Sequence, residues 1–205
     1  MQFDILRNMD NIKLTRKEQA EETKKLIFHK ALELLEEKEF EKITVRDIVK
    51  KANVSVGTFY HYYSTKLDVY YETYIIADEY FESVVKPEIH QLTSTREKLE
   101  LFFDYYAKYN CEITDLTLTQ ILYNSANKCF DRNSDIGMIP ILISILQEGL
   151  DTGALKCDRS AKDLAQFFMI SIRGQIYHWC TNDGNYDLKT AIAGHLKLLL
   201  KGFEL

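Results

Sequence analysis

The chain has 205 residues and a formal net charge of −5, with 46% hydrophobic residues, 28% charged residues, two prolines and eight glycines. This composition is that of a globular protein, and it excludes a low-complexity or disordered chain. So little proline and glycine favours long helices over the short, turn-separated strands of an all-β protein.

Residues 1–15 precede the first predicted helix. Charged residues are mixed through their apolar positions, so this segment lacks the continuous apolar core of a signal peptide. The longest charge-free runs in the chain, residues 116–127 and 136–147, have 12 residues each, fewer than the roughly 20 that a membrane helix needs. We therefore expect a flexible N-terminal arm, no membrane segment and a cytoplasmic protein.

Three helices are predicted after this arm. Residues 16–37 carry apolar residues at helical spacing, and a helix-capping pattern precedes them. Two short helices follow, at residues 45–52 and 56–62. Asn53 lies between them, and asparagine tolerates the left-handed backbone of a tight turn between helices. Two short helices joined in this way predict a helix-turn-helix.

The remaining chain is predicted to form six more helices. They cover residues 64–85, 95–109, 116–130, 138–150, 161–181 and 188–203. Pro87 is expected to stop the first of them. The last two helices are apolar on more than one face, so one face should meet the core and the other a second subunit. The predicted fold is all-α, with an N-terminal three-helix domain that contains the helix-turn-helix (residues 16–63) and a larger helical domain (residues 64–205).

Charge is distributed unevenly along the chain. Residues 42–66 contain one acid, Asp47, and five basic residues, which are Lys42, Arg46, Lys50, Lys51 and Lys66. The rest of the chain carries the net negative charge. One small region can therefore meet a polyanion such as DNA while the rest is repelled from it.

Residues 43–72 contain a more specific pattern. A threonine heads a short helix, an alanine precedes the turn, a hydrophobic residue follows it, and a Gly-Thr-hydrophobic-Tyr run, an aromatic residue and a lysine come next. In this sequence these are Thr44, Ala52, Val54, Gly57-Thr58-Phe59-Tyr60, Tyr63 and Lys66. The pattern resembles the DNA-binding domain of the tetracycline-repressor (TetR) family of bacterial transcription regulators, with Asn53 where many members have glycine. The resemblance covers about the first 70 residues, and beyond them it extends only to the number and order of the helices.

The resemblance implies that the second short helix enters DNA. Gly57 removes a side chain where this helix would approach the duplex, and Thr58 has a hydroxyl for a base edge or a phosphate. Phe59 and Tyr63, four residues apart, are expected to face the core. The expected DNA contacts are Thr44, Arg46, Ser55, Val56, Gly57, Thr58, Tyr60, His61, Tyr62 and Lys66. The basic residues of the first short helix, taken singly, are equally consistent with a solvated face.

The resemblance also implies a small-molecule effector and a homodimer formed by the last two helices. The interface would be a four-helix bundle of residues 163–181 and 188–203 from each subunit, and the dimer would read a partly palindromic operator. A pocket in the larger domain would be lined by Phe102, Phe103, Tyr106, Tyr109, Leu122, Phe168, Ile172, Tyr177 and Trp179. For any one of these side chains, an ordinary core position is the simpler interpretation.

Arg173 is the only charged residue between Asp163 and Asp183. It is expected to pair with an acid such as Asp104, to emerge at the subunit rim or to anchor an anionic ligand.

Together these features predict a sequence-specific DNA-binding transcriptional regulator. The resemblance implies that it is a repressor, which a small, largely apolar or aromatic ligand releases from a palindromic double-stranded DNA operator. The alternative is a helix-turn-helix adaptor that acts on DNA through a protein partner. An enzyme is not expected, because the sequence has no Gly-rich phosphate loop, GxSxG or HExxH motif. The four cysteines and five histidines have no zinc-site spacing, so no metal or cofactor is expected.

Overall fold

A computed structural model describes residues 15–124 and 137–203 of the chain. Every regular element in these ranges is a helix, as the all-α prediction requires. The chain forms two compact units, the first ending at Val69 and the second beginning at Tyr70. Within the described ranges, no helix has both the length and the apolar character to cross a bilayer. Residues 1–14 of the expected N-terminal arm and residues 125–130 of the predicted sixth helix lie outside the described residues.

The first unit contains the predicted helix-turn-helix. Its helices are α1 (Arg16–Glu37), α2 (Val45–Ala52) and α3 (Val56–Tyr62), with a 3₁₀ turn at Phe40–Lys42 between the first two, and α4 (Lys66–Tyr70) begins at its end. The predicted bounds of α1, α2 and α3 are confirmed. Their agreement has a local cause, because each start carries a side chain that accepts a hydrogen bond from a free backbone N–H of the first turn.

The turn between α2 and α3 has the predicted geometry. Asn53 ends α2 with φ 53° and ψ 44°, in the left-handed region. The Val54 N–H then donates to the Val49 carbonyl at 3.0 Å, which closes the end of the helix. Phe59 and Tyr63 are buried, as expected for the inward face of α3.

The second unit is a helical bundle. Its helices are α5 (Glu72–Tyr80), α6 (Lys86–Ile89), α7 (Thr95–Lys108), α8 (Asp115–Leu122), α9 (Met138–Asp151), α10 (Ala161–Thr181) and α11 (Leu188–Lys201). Helix α7 packs against α9 and α11, and α10 packs against α8, α9 and α11. Buried aromatic rings fill the interior between these helices, with Phe81, Phe102 and Phe103 in consecutive edge contacts and Phe103 stacked on Phe168 at 6.0 Å between ring centroids.

The prediction of one continuous helix over residues 64–85 that ends at Pro87 is wrong. The helix is interrupted at Tyr71, widens into a π turn at Phe81–Val85 and continues through Pro87 as α6. The π turn is closed by the Lys86 N–H, which donates to the Phe81 carbonyl. Pro87 therefore lies in the first turn of α6, a position at which proline is tolerated.

Candidate nucleic-acid interface

Helix α3 has one outward face that residues 15–69 of the first unit leave uncovered. Ser55, Gly57 and His61 are exposed, and the Tyr60 side chain is 55% exposed. Val56, on the same face, is an exposed apolar side chain. This surface combines hydrogen-bond donors with an apolar contact, which are the groups that read phosphates, base edges and thymine methyls.

The start of α3 is fixed by a pair of hydroxyls. Ser55 accepts a hydrogen bond from the Thr58 N–H at 2.9 Å, and the Ser55 Oγ and Thr58 Oγ1 atoms share a hydrogen bond of 2.8 Å. Thr58 is half-buried, whereas Ser55 is exposed. The other end of α3 is tied down by Tyr63, whose hydroxyl donates to the Lys24 carbonyl of α1 at 3.2 Å. The outward face is therefore presented by a helix that is held at both ends.

Gly57 has no internal reason to be glycine. A Cβ atom built on it would meet only the Ser55 Oγ, at 3.6 Å, which is ordinary van der Waals contact. Its backbone is helical and has no positive φ. Alanine would suit a helix better, so the missing side chain leaves room for something outside this unit.

The N-terminus of α2 lies at a second potential phosphate contact. Thr44 forms a complete capping box with Asp47, and its hydroxyl donates to the Asp47 carboxylate at 2.7 Å. That hydroxyl proton is therefore committed within the protein. The groups left for a phosphate are the amides of the first turn, which have no partner inside a helix.

Two of the five basic residues counted in residues 42–66 pair with neighbouring acids. Lys51 pairs with Glu33 at 3.3 Å and also with Glu37. Lys42 pairs with Glu39 at 2.8 Å. The surplus positive charge at this surface is therefore smaller than the sequence suggests. Arg46 and Lys50, both exposed, form no ion pair within the described ranges and supply exposed positive charge.

Sequence reasoning missed Lys38. Its ammonium lies 2.9 Å from the Asp47 carboxylate, which also accepts from the Thr44 N–H at 2.8 Å. The Lys38 contact and the Thr44 hydrogen bonds hold the pKa of Asp47 far below its usual range. Lys38 thus removes the repulsion that this carboxylate would exert on a phosphate. No local pattern pointed to it, because the pair links the end of α1 to the start of α2.

Lys66 is placed differently from its expected role beside the DNA groove. Its ammonium points into the first unit and donates to the carbonyls of Phe40 at 2.7 Å and Ile43 at 2.9 Å. The side chain is half-buried. Burial lowers the pKa of Lys66, and the carbonyl oxygens replace the water that its ammonium has lost.

In the second unit, eight of the nine expected pocket residues are buried. They are Phe102, Phe103, Tyr106, Tyr109, Leu122, Phe168, Ile172 and Trp179. Two of them satisfy their polar atoms internally: the Tyr109 hydroxyl donates to the Thr73 carbonyl at 2.8 Å, and the Trp179 Nε1–H donates to the Tyr186 carbonyl at 3.0 Å. These contacts are those of a packed core.

A polar cluster lies within this core. The Tyr106 and Tyr123 hydroxyls, both on buried side chains, share a hydrogen bond of 2.8 Å. The Arg173 Nε–H donates to the Tyr106 hydroxyl at 3.4 Å. This contact with a tyrosine hydroxyl is not one of the three roles considered for Arg173.

Tyr177 is the exception among the expected pocket residues, because it is not buried with the other eight. It is 51% exposed, on the same face of α10 as Phe167 and Ile170. Ile170 is 63% exposed, and Leu198 on α11 is 68% exposed. Gly174 and Gly194 lie along the same two helices, and a Cβ atom on either would meet nothing within 4 Å. We call Phe167, Ile170, Tyr177 and Leu198 the apolar stripe.

Within the described ranges, no three His, Cys, Asp or Glu side chains are grouped so as to hold a metal ion.

Comparisons with known proteins agree with this architecture. Residues 27–72 match the model of a family described as bacterial regulatory proteins, tetR family. The chain is 26% identical over 182 residues to the fatty acid metabolism regulator protein of Bacillus subtilis (strain 168), an alignment that covers 87% of this chain and 94% of that protein.

Solved structures share the fold across both units. The transcriptional regulator FadR from Bacillus subtilis, in complex with stearoyl-CoA, is 24% identical with a TM-score of 0.68, and the match covers 87% of this chain and 98% of that one. FadR from Thermus thermophilus, a TetR-family transcriptional repressor in complex with lauroyl-CoA, is 21% identical with a TM-score of 0.67, covering 87% of this chain and 94% of that one.

Proposed function

Because the chain belongs to the TetR family of bacterial transcriptional regulators, we propose that it is a dimeric repressor that acts in the cytoplasm and leaves its operator when it binds a long-chain acyl-CoA thioester. Members of this family bind operator DNA, dimerise and bind small-molecule effectors. The observation that carries the DNA-binding part is the outward face of α3, with an open position at Gly57 that the fold itself does not need.

The proposed DNA contacts divide into two groups. Ser55, Val56, Gly57, Tyr60 and His61 are exposed on α3 and would enter the major groove. The first-turn amides of α2, the Arg46 side chain and the half-buried Thr58 and Tyr62 would hold the backbone on either side. This division assigns sequence reading to the exposed face of α3, and positioning to the start of α2 together with the two half-buried residues of α3.

The apolar stripe supports the dimer. An exposed face with four large apolar side chains is unusual for a monomer and marks a surface that a partner covers. A second copy would place the same stripe opposite it, and the open Cβ positions at Gly174 and Gly194 would let the helices approach closely. Two copies of α3 would then meet half-sites about 34–36 Å apart, or a multiple of that spacing.

The effector class is proposed from the relatives together with the chemistry of the second unit. The two FadR structures hold stearoyl-CoA and lauroyl-CoA. The second unit of this chain has a core of aliphatic and aromatic side chains with one cluster of polar atoms at Tyr106, Tyr123 and Arg173. Sites for such ligands are mostly apolar with a few convergent polar groups. The cluster would meet the thioester carbonyl or an amide of the pantetheine arm.

Release from DNA follows from a shift between two forms of the protein. The acyl-CoA would favour a form in which the segment around Tyr70 has moved and the two α3 helices no longer fit the groove spacing. A hundredfold preference of the effector for that form supplies about 2.7 kcal/mol of coupling. This is enough to empty an operator that is held with moderate affinity.

The test is a fluorescence anisotropy titration with a labelled DNA fragment from upstream of the protein's own gene. Saturating stearoyl-CoA should weaken binding by about tenfold or more, whereas coenzyme A alone and stearate alone should leave it nearly unchanged. Binding that stearoyl-CoA does not alter would overturn the effector assignment. Absence of any binding to the fragment at low salt would overturn the assignment as a repressor.

A further inference from the structure

Lys66 occupies a cage of backbone oxygens. Its Nζ atom donates to the Phe40 carbonyl at 2.7 Å and the Ile43 carbonyl at 2.9 Å, and lies 3.4 Å from the Glu41 carbonyl. The ammonium also sits 4.2 Å from the centroid of the Phe40 ring, a favourable cation–π distance. An ammonium has three hydrogens, so these three oxygens occupy all of them.

The cage lies directly before the proposed phosphate-binding end of α2. Phe40 and Glu41 belong to the 3₁₀ turn, and Ile43 is the residue immediately before Thr44. The peptide unit that joins Ile43 to Thr44 is held on both sides: its oxygen by Lys66, and its N–H by the Asp47 carboxylate at 2.8 Å. The orientation of this peptide sets the direction in which the first turn of α2 presents its amides.

Lys66 is itself held by the start of α4. The Thr65 N–H donates to the Asp68 carboxylate at 2.8 Å, and the Asp68 N–H donates to the Thr65 hydroxyl at 3.2 Å, which together form a capping box. Lys66 is the first residue of that helix. Its side chain therefore links the capped start of α4 to the capped start of α2.

We infer that Lys66 is a positioning residue for DNA binding: it fixes the N-terminus of α2 through the Phe40 and Ile43 carbonyls and does not itself contact a phosphate. The inference rests on the proposed function, because it assigns α2 to the DNA backbone. To reach a phosphate the ammonium would have to leave all three carbonyls, and the Ile43 oxygen would lose its partner in a buried residue.

The two roles differ in the salt dependence of operator binding. The slope of log affinity against log salt is negative, and removing one phosphate contact reduces its magnitude by about 0.9. Removing a positioning residue lowers the affinity but leaves the slope unchanged, since the number of neutralised phosphates is the same. We therefore measure operator affinity at several salt concentrations for wild type, Lys66→Met and Arg46→Met, with amide hydrogen exchange at Thr44 and Asp47 as a second readout.

Lys66→Met should bind the operator about tenfold or more weakly, with an unchanged slope and faster exchange of both amides. Arg46→Met is the matched control, because it removes an exposed charge from α2 without touching the cage. It should reduce the magnitude of the slope and leave the hydrogen exchange of both amides unchanged. If the magnitude of the slope falls by about 0.9 in Lys66→Met while amide hydrogen exchange stays as in wild type, the inference is overturned.

Lysine acetylation of the wild-type protein gives a test that does not depend on any variant folding. Lys66 should react slowly both with and without operator DNA, because the cage covers it in both states, whereas the exposed Lys50 should react quickly in the free protein. Fast reaction of Lys66 in the free protein and protection only by DNA would contradict the inference. If the wild type shows no operator binding at all, the proposed function fails, while slow acetylation of Lys66 would still identify the cage.

Discussion

The carboxylate of Asp78 lies directly against Gly137 and accepts a hydrogen bond from the following N–H, that of Met138, at 3.2 Å. Glu82 accepts from the Gly137 N–H at 3.1 Å. Two acids from the segment of α5 and its π turn therefore cap the start of α9, where negative charge is favourable. The contact requires glycine, because φ at Gly137 is +92° and a Cβ atom there would overlap the Asp78 side chain.

We expect Gly137→Ala to lower the free energy of unfolding by about 2–3 kcal/mol, since it adds a steric clash to left-handed backbone strain. Gly153→Ala is the matched control: its φ is +71°, but nothing lies within 4 Å of the Cβ position. The control should lose only the strain, about 1 kcal/mol. Urea unfolding followed by circular dichroism measures the free energy of unfolding of both variants. If the two variants lose the same free energy, the contact with Asp78 does not contribute.

Gly57→Ala should separate DNA binding from folding. The new methyl group has space within the protein and improves the helix, so the melting temperature should stay the same or rise. Operator affinity should fall by about tenfold or more, because the methyl group occupies the space reserved for the duplex. Differential scanning fluorimetry and anisotropy give the two values. Unchanged affinity would mean that the duplex does not approach this position.

Ile170→Glu should break the dimer. The carboxylate would lie in the middle of the apolar stripe and would have to be buried without a partner when two copies meet. Sedimentation velocity should show a monomer, and binding to the full palindrome should be lost together with the dimer. Val84→Glu, at an exposed apolar position outside the stripe, is the control and should leave the protein dimeric. A dimeric Ile170→Glu protein would place the interface elsewhere.

The Asp47 contacts should give the protein a specific dependence on pH. The ion pair with Lys38 and the Thr44 hydrogen bonds lower the pKa of Asp47 in the folded state. Its stabilising effect is therefore fully present above the pKa of an unfolded aspartate, about 3.9, and is lost as the pH falls further.

The measurement is the difference in melting temperature between wild type and Asp47→Asn, followed from pH 7 downwards. This difference should be constant above about pH 5 and shrink below about pH 4. Asp104→Asn changes an exposed carboxylate that has no ion pair or hydrogen bond in the described ranges, and it should show a small difference throughout. An Asp47→Asn difference that persists undiminished into acid would show that the charge is not responsible.

The parts of this fold that could be predicted from the sequence are those with local causes. Helices α1, α2 and α3 begin at side chains that cap them, and Asn53 supplies the left-handed turn, so their bounds follow from a few neighbouring residues. The passage of the chain through Pro87 could not be predicted, because it depends on a π turn whose hydrogen bonds have no sequence pattern.

The candidate site, too, can be predicted from the sequence only where its causes are local. The outward side chains of α3 follow from helical spacing. The Glu37 partner of Lys51, however, lies 14 positions away in the sequence, and the Ile43 and Phe40 partners of Lys66 lie 23 and 26 positions away. The sequence therefore made Lys51 and Lys66 appear available for DNA, although their ammonium groups already have partners within the first unit. The exposure of Tyr177 could not be predicted for a related reason, because an aromatic residue on a helix that is apolar on two sides fits either the core or the outward face.

Operator binding by the proposed dimer requires that two copies of α3 enter one duplex from the same side. Hydroxyl-radical footprinting of the wild-type protein on its operator measures this directly. We expect two protected regions whose centres lie about 10–10.5 base pairs apart, or a multiple of that spacing, and which disappear together when stearoyl-CoA is added. A single protected region, or protection without a fixed spacing, would contradict the entry of two α3 helices into one duplex.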